Sequence, residues 1–296
     1  MSAHDQLASD FVGLVRRAFL SRRRFMSTSA AAAAGYTLAA GPVNAAAIHT
    51  DSEGLDTGTA KIETADGAMP VYFAKPSGVP HPPVILVAME VFGLHAYIKD
   101  VTRRLAKLGA LAIAPDYYFR LGDLTKISDI QKLMPLVNSK PDAQLIADLD
   151  ASVAWAKDQG GDIARLGIVG FCRGGRTVWV YCATNPNVKA GVVFYGSLVD
   201  PASQKDLWPK SPIELAPEMK APVLGLYGGA DQGIPALQID EMKAALAAAG
   251  KTAEFKIYPG APHGFHADYR PSYHADAAKD AWEQMKAWFR RWSVLR

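Results

Sequence analysis

The stretch Gly170–Thr177 reads GFCRGGRT and follows the apolar run RLGIV at Arg165–Val169. Two chemistries fit a glycine-rich turn between a strand and a helix. Gly170 and Gly175 followed by Arg176-Thr177 differ by one letter from a loop that cradles phosphates. Gly170-Phe171-Cys172-Arg173-Gly174 is equally a sharp elbow that holds Cys172 out as a nucleophile. Glycines then occupy the positions where side chains would collide with neighbouring backbone. The segments on either side of the turn decide between these readings.

Apolar runs of strand length recur through the chain: PPVILVAM (Pro82–Met89), ALAIAPD (Ala110–Asp116), VKAGVVFYG (Val188–Gly196), APVLGLYGGAD (Ala221–Asp231) and TAEFKIYPG (Thr252–Gly260). Unbroken apolar runs suit strands covered on both faces of a parallel sheet. Between them lie helical patterns with glycine stops, at His95–Gly109, Pro141–Gly160 and Ile234–Gly250, and a terminal one at Ser272–Trp292. Ala60–Pro76 reads as a hairpin around Asp66-Gly67. Tyr117–Lys140 reads as a long, irregular crossover able to line a pocket, and Ser197–Lys220 as a surface excursion. The alternation predicts one α/β domain over residues 61–296, with a mostly parallel open sheet and helices on both faces. The initial hairpin and the small number of strand–helix units argue against a closed eightfold barrel.

The start of the chain has a different character. SRRRFM at Ser21–Met26 precedes an Ala-rich run that ends in small residues at Ala45 and Ala47. A basic region, a weakly apolar run and an A-x-A site describe an export signal over residues 1–47. Ser-Arg-Arg-x-Phe resembles the twin-arginine pattern for cargo exported after folding, so the expected partner is the export machinery and the expected location periplasmic or secreted. Residues 48–60 read as an exposed lead-in. The run is too short and too weakly apolar for a stable membrane span, and none is expected once the signal is removed. The formal charge is +3, but residues 1–47 hold five Arg and two Asp, so the remainder balances at zero. This gives no warrant for nucleic-acid binding.

The chain has two cysteines, Cys172 and Cys182. On one helix, ten residues separate them by about 15 Å, beyond the roughly 7 Å limit for a disulfide. Two free thiols are expected, and the spacing is not that of a metal site. His266 lies three residues after His263, yet no third ligand is evident.

Three chemically apt groups each follow a predicted strand: Cys172, Asp231 and His263. In open α/β sheets, sites form beyond the C-terminal strand ends. The order nucleophile, acid, histidine is that of α/β-hydrolases. An adjacent imidazole can take the thiol proton, a carboxylate can fix its tautomer, and backbone N–H groups can hold the oxyanion. Such chemistry needs no metal or organic cofactor. The phosphate reading weakens correspondingly: Arg176 stands where lysine is required, and no acid partner for a magnesium ion is evident.

From about Ala60 to the C-terminus the chain resembles the dienelactone hydrolases of the α/β-hydrolase fold. The resemblance rests on MEVFGLHAYIKD (Met89–Asp100), APDYY (Ala114–Tyr118), GFCRGG (Gly170–Gly175), GGADQGIP (Gly228–Pro235) and GAPHGFHADY (Gly260–Tyr269). It implies that Cys172 attacks, His263 acts as base and Asp231 orients the imidazole. It further implies that Glu90 helps control thiol ionisation and that the N–H groups of Val91 and Arg173 receive the oxyanion. The implied reaction cleaves a small ester or lactone through a thioester acyl-enzyme. A general carboxylesterase, thioesterase or peptidase on the same triad, and a non-catalytic binding module, are the alternatives. Family arginines hold a substrate carboxylate, and one of them falls where this chain has Ala267. Arg120, Arg173 and Tyr118 are the candidate substrate-binding residues, with Arg270 a further possible substitute.

Overall fold

The computed structural model describes residues 47–296; all but the last residue of the expected export signal lies outside them. Its centre is six parallel strands: β3 (Pro83–Ala88), β4 (Leu111–Pro115), β5 (Asp162–Phe171), β6 (Val188–Phe194), β7 (Val223–Gly228) and β8 (Ala253–Tyr258). An antiparallel hairpin, β1 (Leu55–Thr64) and β2 (Gly67–Pro76), adds to the β4 edge, giving the order β1-β2-β4-β3-β5-β6-β7-β8. Every residue of β3, β4 and β7 is buried. Successive strand side chains point to opposite faces, so this burial needs cover on both sides. The helices that provide it are α1 (Ala96–Lys107), α2 (Ile130–Asn138), α3 (Asp142–Asp158), α4 (Arg173–Thr184), α5 (Ala236–Ala248) and α6 (Ala275–Arg291).

The chain leaves β3 toward β4 on one side and returns as β5 on the other, so the strand order reverses between β3 and β5. A crevice at such a reversal is where open α/β sheets place ligands. Both Glu90, two residues beyond β3, and Cys172, one residue beyond β5, lie at this point.

Three local expectations change. First, β1 begins at Leu55, inside the segment read as lead-in, because Leu55 already pairs with Pro76. Ahead of it, the Thr50 N–H donates to Asp100 Oδ1 at 2.6 Å and Arg103 Nε donates to the Thr50 carbonyl at 2.7 Å. The hairpin turn itself is Ala65-Asp66, with Thr64 opposite Gly67. Second, the crossover Tyr117–Lys140 contains α2. Asp129 caps it by accepting from the Gln131 N–H at 2.9 Å, and Leu133 and Val137 are buried. Pro135 inside the helix conceals this periodicity in the sequence. Third, the 197–220 excursion is only partly a surface feature: Leu198, Trp208, Leu215 and Met219 are buried.

Both cysteines are free and buried. Burial raises the Cys182 thiol far above its ordinary value, which makes it inert. His266 is a core residue. Its Nδ1 lies 2.6 Å from the Tyr97 hydroxyl, its ring stacks on Trp282 at 5.7 Å, and burial pushes its pKa down to about 3.

Candidate active site

Cys172 is the single residue between β5 and α4, with φ 56° and ψ −116°. A non-glycine residue held in such a conformation costs on the order of 1–3 kcal/mol. The surrounding backbone enforces it. The Cys172 N–H donates to the Phe194 carbonyl at 3.0 Å, and the Cys172 carbonyl accepts from the Gly175 N–H at 2.9 Å. A Cβ on Gly170 would stand 2.1 Å from the Gly174 carbonyl oxygen, and one on Gly174 would stand 2.0 Å from that of Ala88. The elbow is thus pressed against the end of β3, and only glycine permits the approach. The N-terminus of α4 lies under Cys172 and favours negative charge there.

Asp231 lies three residues beyond β7 and His263 five beyond β8. Asp231 Oδ2 is 2.7 Å from His263 Nδ1, and its Oδ1 accepts from the Gly233 N–H at 2.8 Å. Burial alone would lower the His263 pKa. The Asp231 carboxylate and the charge and hydrogen bond of Cys172 outweigh it and raise the pKa well above the ordinary histidine value. The fold therefore brings together the three side chains singled out from the sequence. A half-buried imidazole lies between the carboxylate, which meets it at Nδ1, and the thiol, whose charge helps raise its pKa.

Glu90 is buried, and its Oε2 is shared among three neighbours. The Tyr269 hydroxyl donates at 2.9 Å, His95 Nε2 lies at 3.2 Å and Arg270 Nη2 at 3.9 Å. Burial alone would raise this carboxyl, but the Arg270 guanidinium, helped by His95 and Tyr269, holds it down at about 2. Arg270 is itself buried, with its guanidinium 4.2 Å from the centre of the Phe92 ring. Seven residues after His263, it supplies a cation to this corner although Ala267 cannot. The sequence reading gave His95 and Tyr269 no role at Glu90 and took Arg270 only as a substitute for a substrate-holding arginine. The signal available was their position in two loops, GLHAY and ADYR, that flank strand ends.

The candidate substrate residues divide. Arg120 lies in hydrogen bonds to Thr64 and Asp66 at the hairpin turn and to Asp148 of α3, the last at 2.9 Å through Nη1. Its Nη1 and Nη2 donors are committed to holding the hairpin against α3, so its position does not support a substrate role. Arg173 Nη2 donates to Asn138 Oδ1 at 2.7 Å, and its guanidinium stacks 3.8 Å from the centre of the Trp208 ring. Tyr118 is buried beside it; burial, partly offset by Arg173, pushes its phenol up to about 12. Arg173 and Tyr118 therefore stand together. As the first residue of α4, Arg173 has a backbone N–H without a carbonyl one turn back to receive it. Val91 is fully buried and follows Glu90 directly, at the β3 end that the elbow touches.

Arg176, the residue that suggested a phosphate loop, binds Asp142 through Nη1 at 2.7 Å and Nη2 at 2.9 Å, and Asp200 through Nε at 2.8 Å. Those buried carboxylates occupy it. Among the described residues, no group of three or more His, Cys, Asp and Glu is placed to hold a metal, and no helix is long and apolar enough to cross a membrane.

Sequence comparison gives this arrangement its relatives. The sequence model of the "Dienelactone hydrolase family" matches residues 69–293, a span that includes the elbow, Asp231 and His263. A Methylorubrum extorquens protein named "Putative carboxymethylenebutenolidase" is 52% identical over 99% of this chain and 100% of its own length. One of the same name in Escherichia coli (strain K12) is 45% identical, covering 87% of this chain and 95% of its own. The crystal structure of a "Putative Dienelactone Hydrolase" from Klebsiella pneumoniae superposes with a TM-score of 0.78 at 47% identity, covering 80% of this chain and 98% of that one. Matched over most of its described length, with its strands in hydrolase order, the chain belongs to the dienelactone hydrolase family and is a hydrolase.

Proposed function

We propose that Cys172, His263 and Asp231 act as a nucleophilic triad that cleaves a small carboxylic ester or lactone. The observation that carries this reading is the 2.7 Å contact between Asp231 Oδ2 and His263 Nδ1, with the raised imidazole beside the thiol at the elbow. His263 takes the Cys172 proton, and Asp231 stabilises the imidazolium and fixes its tautomer. The thiolate attacks the carbonyl carbon. The backbone N–H groups of Val91 and Arg173 receive the oxyanion, each worth about 3 kcal/mol in comparable sites. His263 returns the proton to the leaving alkoxide, which in a lactone stays tethered to the acyl group. Water, activated by the same imidazole, then hydrolyses the thioester and restores the thiol. Glu90, ion-paired to Arg270, sets the negative potential near the sulfur. The Arg173 and Tyr118 pair faces the substrate.

The test is turnover of a panel of lactones and p-nitrophenyl esters by the chain and by Cys172→Ala. Hydrolysis by the first and not the second is expected. Equal turnover by both overturns the mechanism.

We also propose that residues 1–47 direct export by the twin-arginine route, on the strength of Ser21-Arg22-Arg23 and the A-x-A site. Replacing Arg22 and Arg23 by Lys should retain the protein in the cytoplasm. Unchanged periplasmic accumulation overturns this.

A further inference from the structure

We propose that Tyr195 is a positioning residue for His263: a strained backbone at the end of β6 sets its ring against the imidazole and fixes the plane in which His263 meets Cys172. The inference rests on the triad reading above. Tyr195 is the first residue after β6, at φ +40°, and it is fully buried. A bulky aromatic residue rarely adopts positive φ, and such outliers gather where function over-determines the backbone. Cys172, at φ 56°, is the matching outlier on the neighbouring strand. The two bends are braced together. The Cys172 N–H donates at 3.0 Å to the carbonyl of Phe194, the residue before Tyr195. A Cβ on the next residue, Gly196, would lie 2.4 Å from the carbonyl carbon of Gly175 in the first turn of α4.

This backbone delivers the ring to one place. Its centre lies 5.1 Å from that of His263 with the planes at 61°, and 5.3 Å from that of Phe265. The contact does work that Asp231 cannot. A hydrogen bond at Nδ1 fixes that atom, but it leaves the imidazole able to swing its Nε2 edge out of the line to the thiol. An aromatic edge-to-face contact restrains the plane instead. The phenol oxygen is buried and makes no hydrogen bond among the described residues, to His263 or to any other group. Burial, reinforced by Tyr97 and Glu90, keeps the phenol neutral. The ring, rather than the hydroxyl, is thus the part that acts on His263.

The test compares Tyr195→Phe, Tyr195→Leu and Tyr195→Met, using full chains that unfold in a single thermal transition. Two readouts are taken: the pH profile of Cys172 alkylation by iodoacetamide, and kcat and KM on a p-nitrophenyl ester. Tyr195→Phe keeps the ring and should stay within about threefold of the parent in kcat, with an unchanged alkylation profile. Tyr195→Leu and Tyr195→Met should lose about tenfold or more in kcat with KM within about twofold. Their alkylation midpoint should move upward, because a misaligned imidazolium no longer favours the thiolate. Having both aliphatic variants keeps the test open if one does not fold. An aliphatic variant whose alkylation profile overlays the parent's overturns the proposal, as does a Phe variant as impaired as the aliphatic ones. A parent that alkylates normally but hydrolyses no ester would instead count against the functional reading, since alkylation does not depend on turnover.

Discussion

Asp231 and His263 meet across the ends of two adjacent parallel strands, β7 and β8, with 2.7 Å between Oδ2 and Nδ1. Asp231→Asn keeps the shape but removes the charge, so the imidazole loses the partner that holds up its pKa. A fall in kcat on the order of 10³- to 10⁴-fold is expected in steady-state assays. Stability should respond too. A histidine whose folded pKa is raised contributes stability that is complete below its unfolded value of about 6.5, and that fades as pH rises through the folded value. Urea unfolding of the parent should therefore show this contribution declining above about pH 6.5, and Asp231→Asn should flatten the decline.

The Cys172 backbone offers a second prediction, one separable from chemistry. At φ 56° a glycine is unstrained while alanine is not. Cys172→Gly should therefore be more stable than Cys172→Ala by about 1 kcal/mol. In a domain of this size that is about 2–4 °C in thermal midpoint. Both variants should be inactive. Calorimetry showing Cys172→Ala to be the more stable of the two would mean the elbow is not strained.

Glu90 should dominate part of the acid limb. Its carboxyl is held down at about 2, chiefly by Arg270 against the cost of burial. A group depressed in this way contributes stability that is present above its unfolded value, about 4.3, and is lost as pH falls through the folded one. Unfolding measured between pH 4.5 and 2 should show that loss in the parent, and Glu90→Gln should remove it. Glu90→Gln also strands the buried Arg270 charge, so the variant should be less stable at neutral pH.

Arg120 should behave as a structural residue. Asp148 is almost wholly buried, and Arg120 shares it with Lys140. Arg120→Ala is expected to cost about 1–3 kcal/mol in urea unfolding, since Lys140 still covers the carboxylate. KM for an ester should not move. A raised KM with unchanged stability would restore Arg120 to the substrate site.

The parts of the site that could be read in the sequence are those each strand places by itself. Cys172, Asp231 and His263 sit one to five residues past strand ends, and a parallel sheet aligns such positions at one edge. Arg120 could not be read this way. Its partners Asp66 and Asp148 lie 54 residues before it and 28 after it in the chain, so no local pattern announces them. Arg270 was obscured for a related reason. Spacing from His263 pointed to position 267, whereas the loop delivers a cation to Glu90 three residues later. The α2 helix was hidden by Pro135, and the start of β1 by polar residues whose strand character comes from pairing with β2.

The Trp208 indole stacks on Arg173 and lies 4.7 Å from the Arg176 guanidinium, while its Nε1 donates to the Lys140 carbonyl at 2.8 Å. Asp200 of the same 197–220 segment is ion-paired to Arg176. The segment is thus fastened to the very helix that carries the nucleophile. Swinging it aside would require exposing a buried arginine and two carboxylates together. On this flank the Cys172 elbow stands beside a fixed wall, a tryptophan clamped between two arginines and a backbone carbonyl, rather than beside a door free to open and shut.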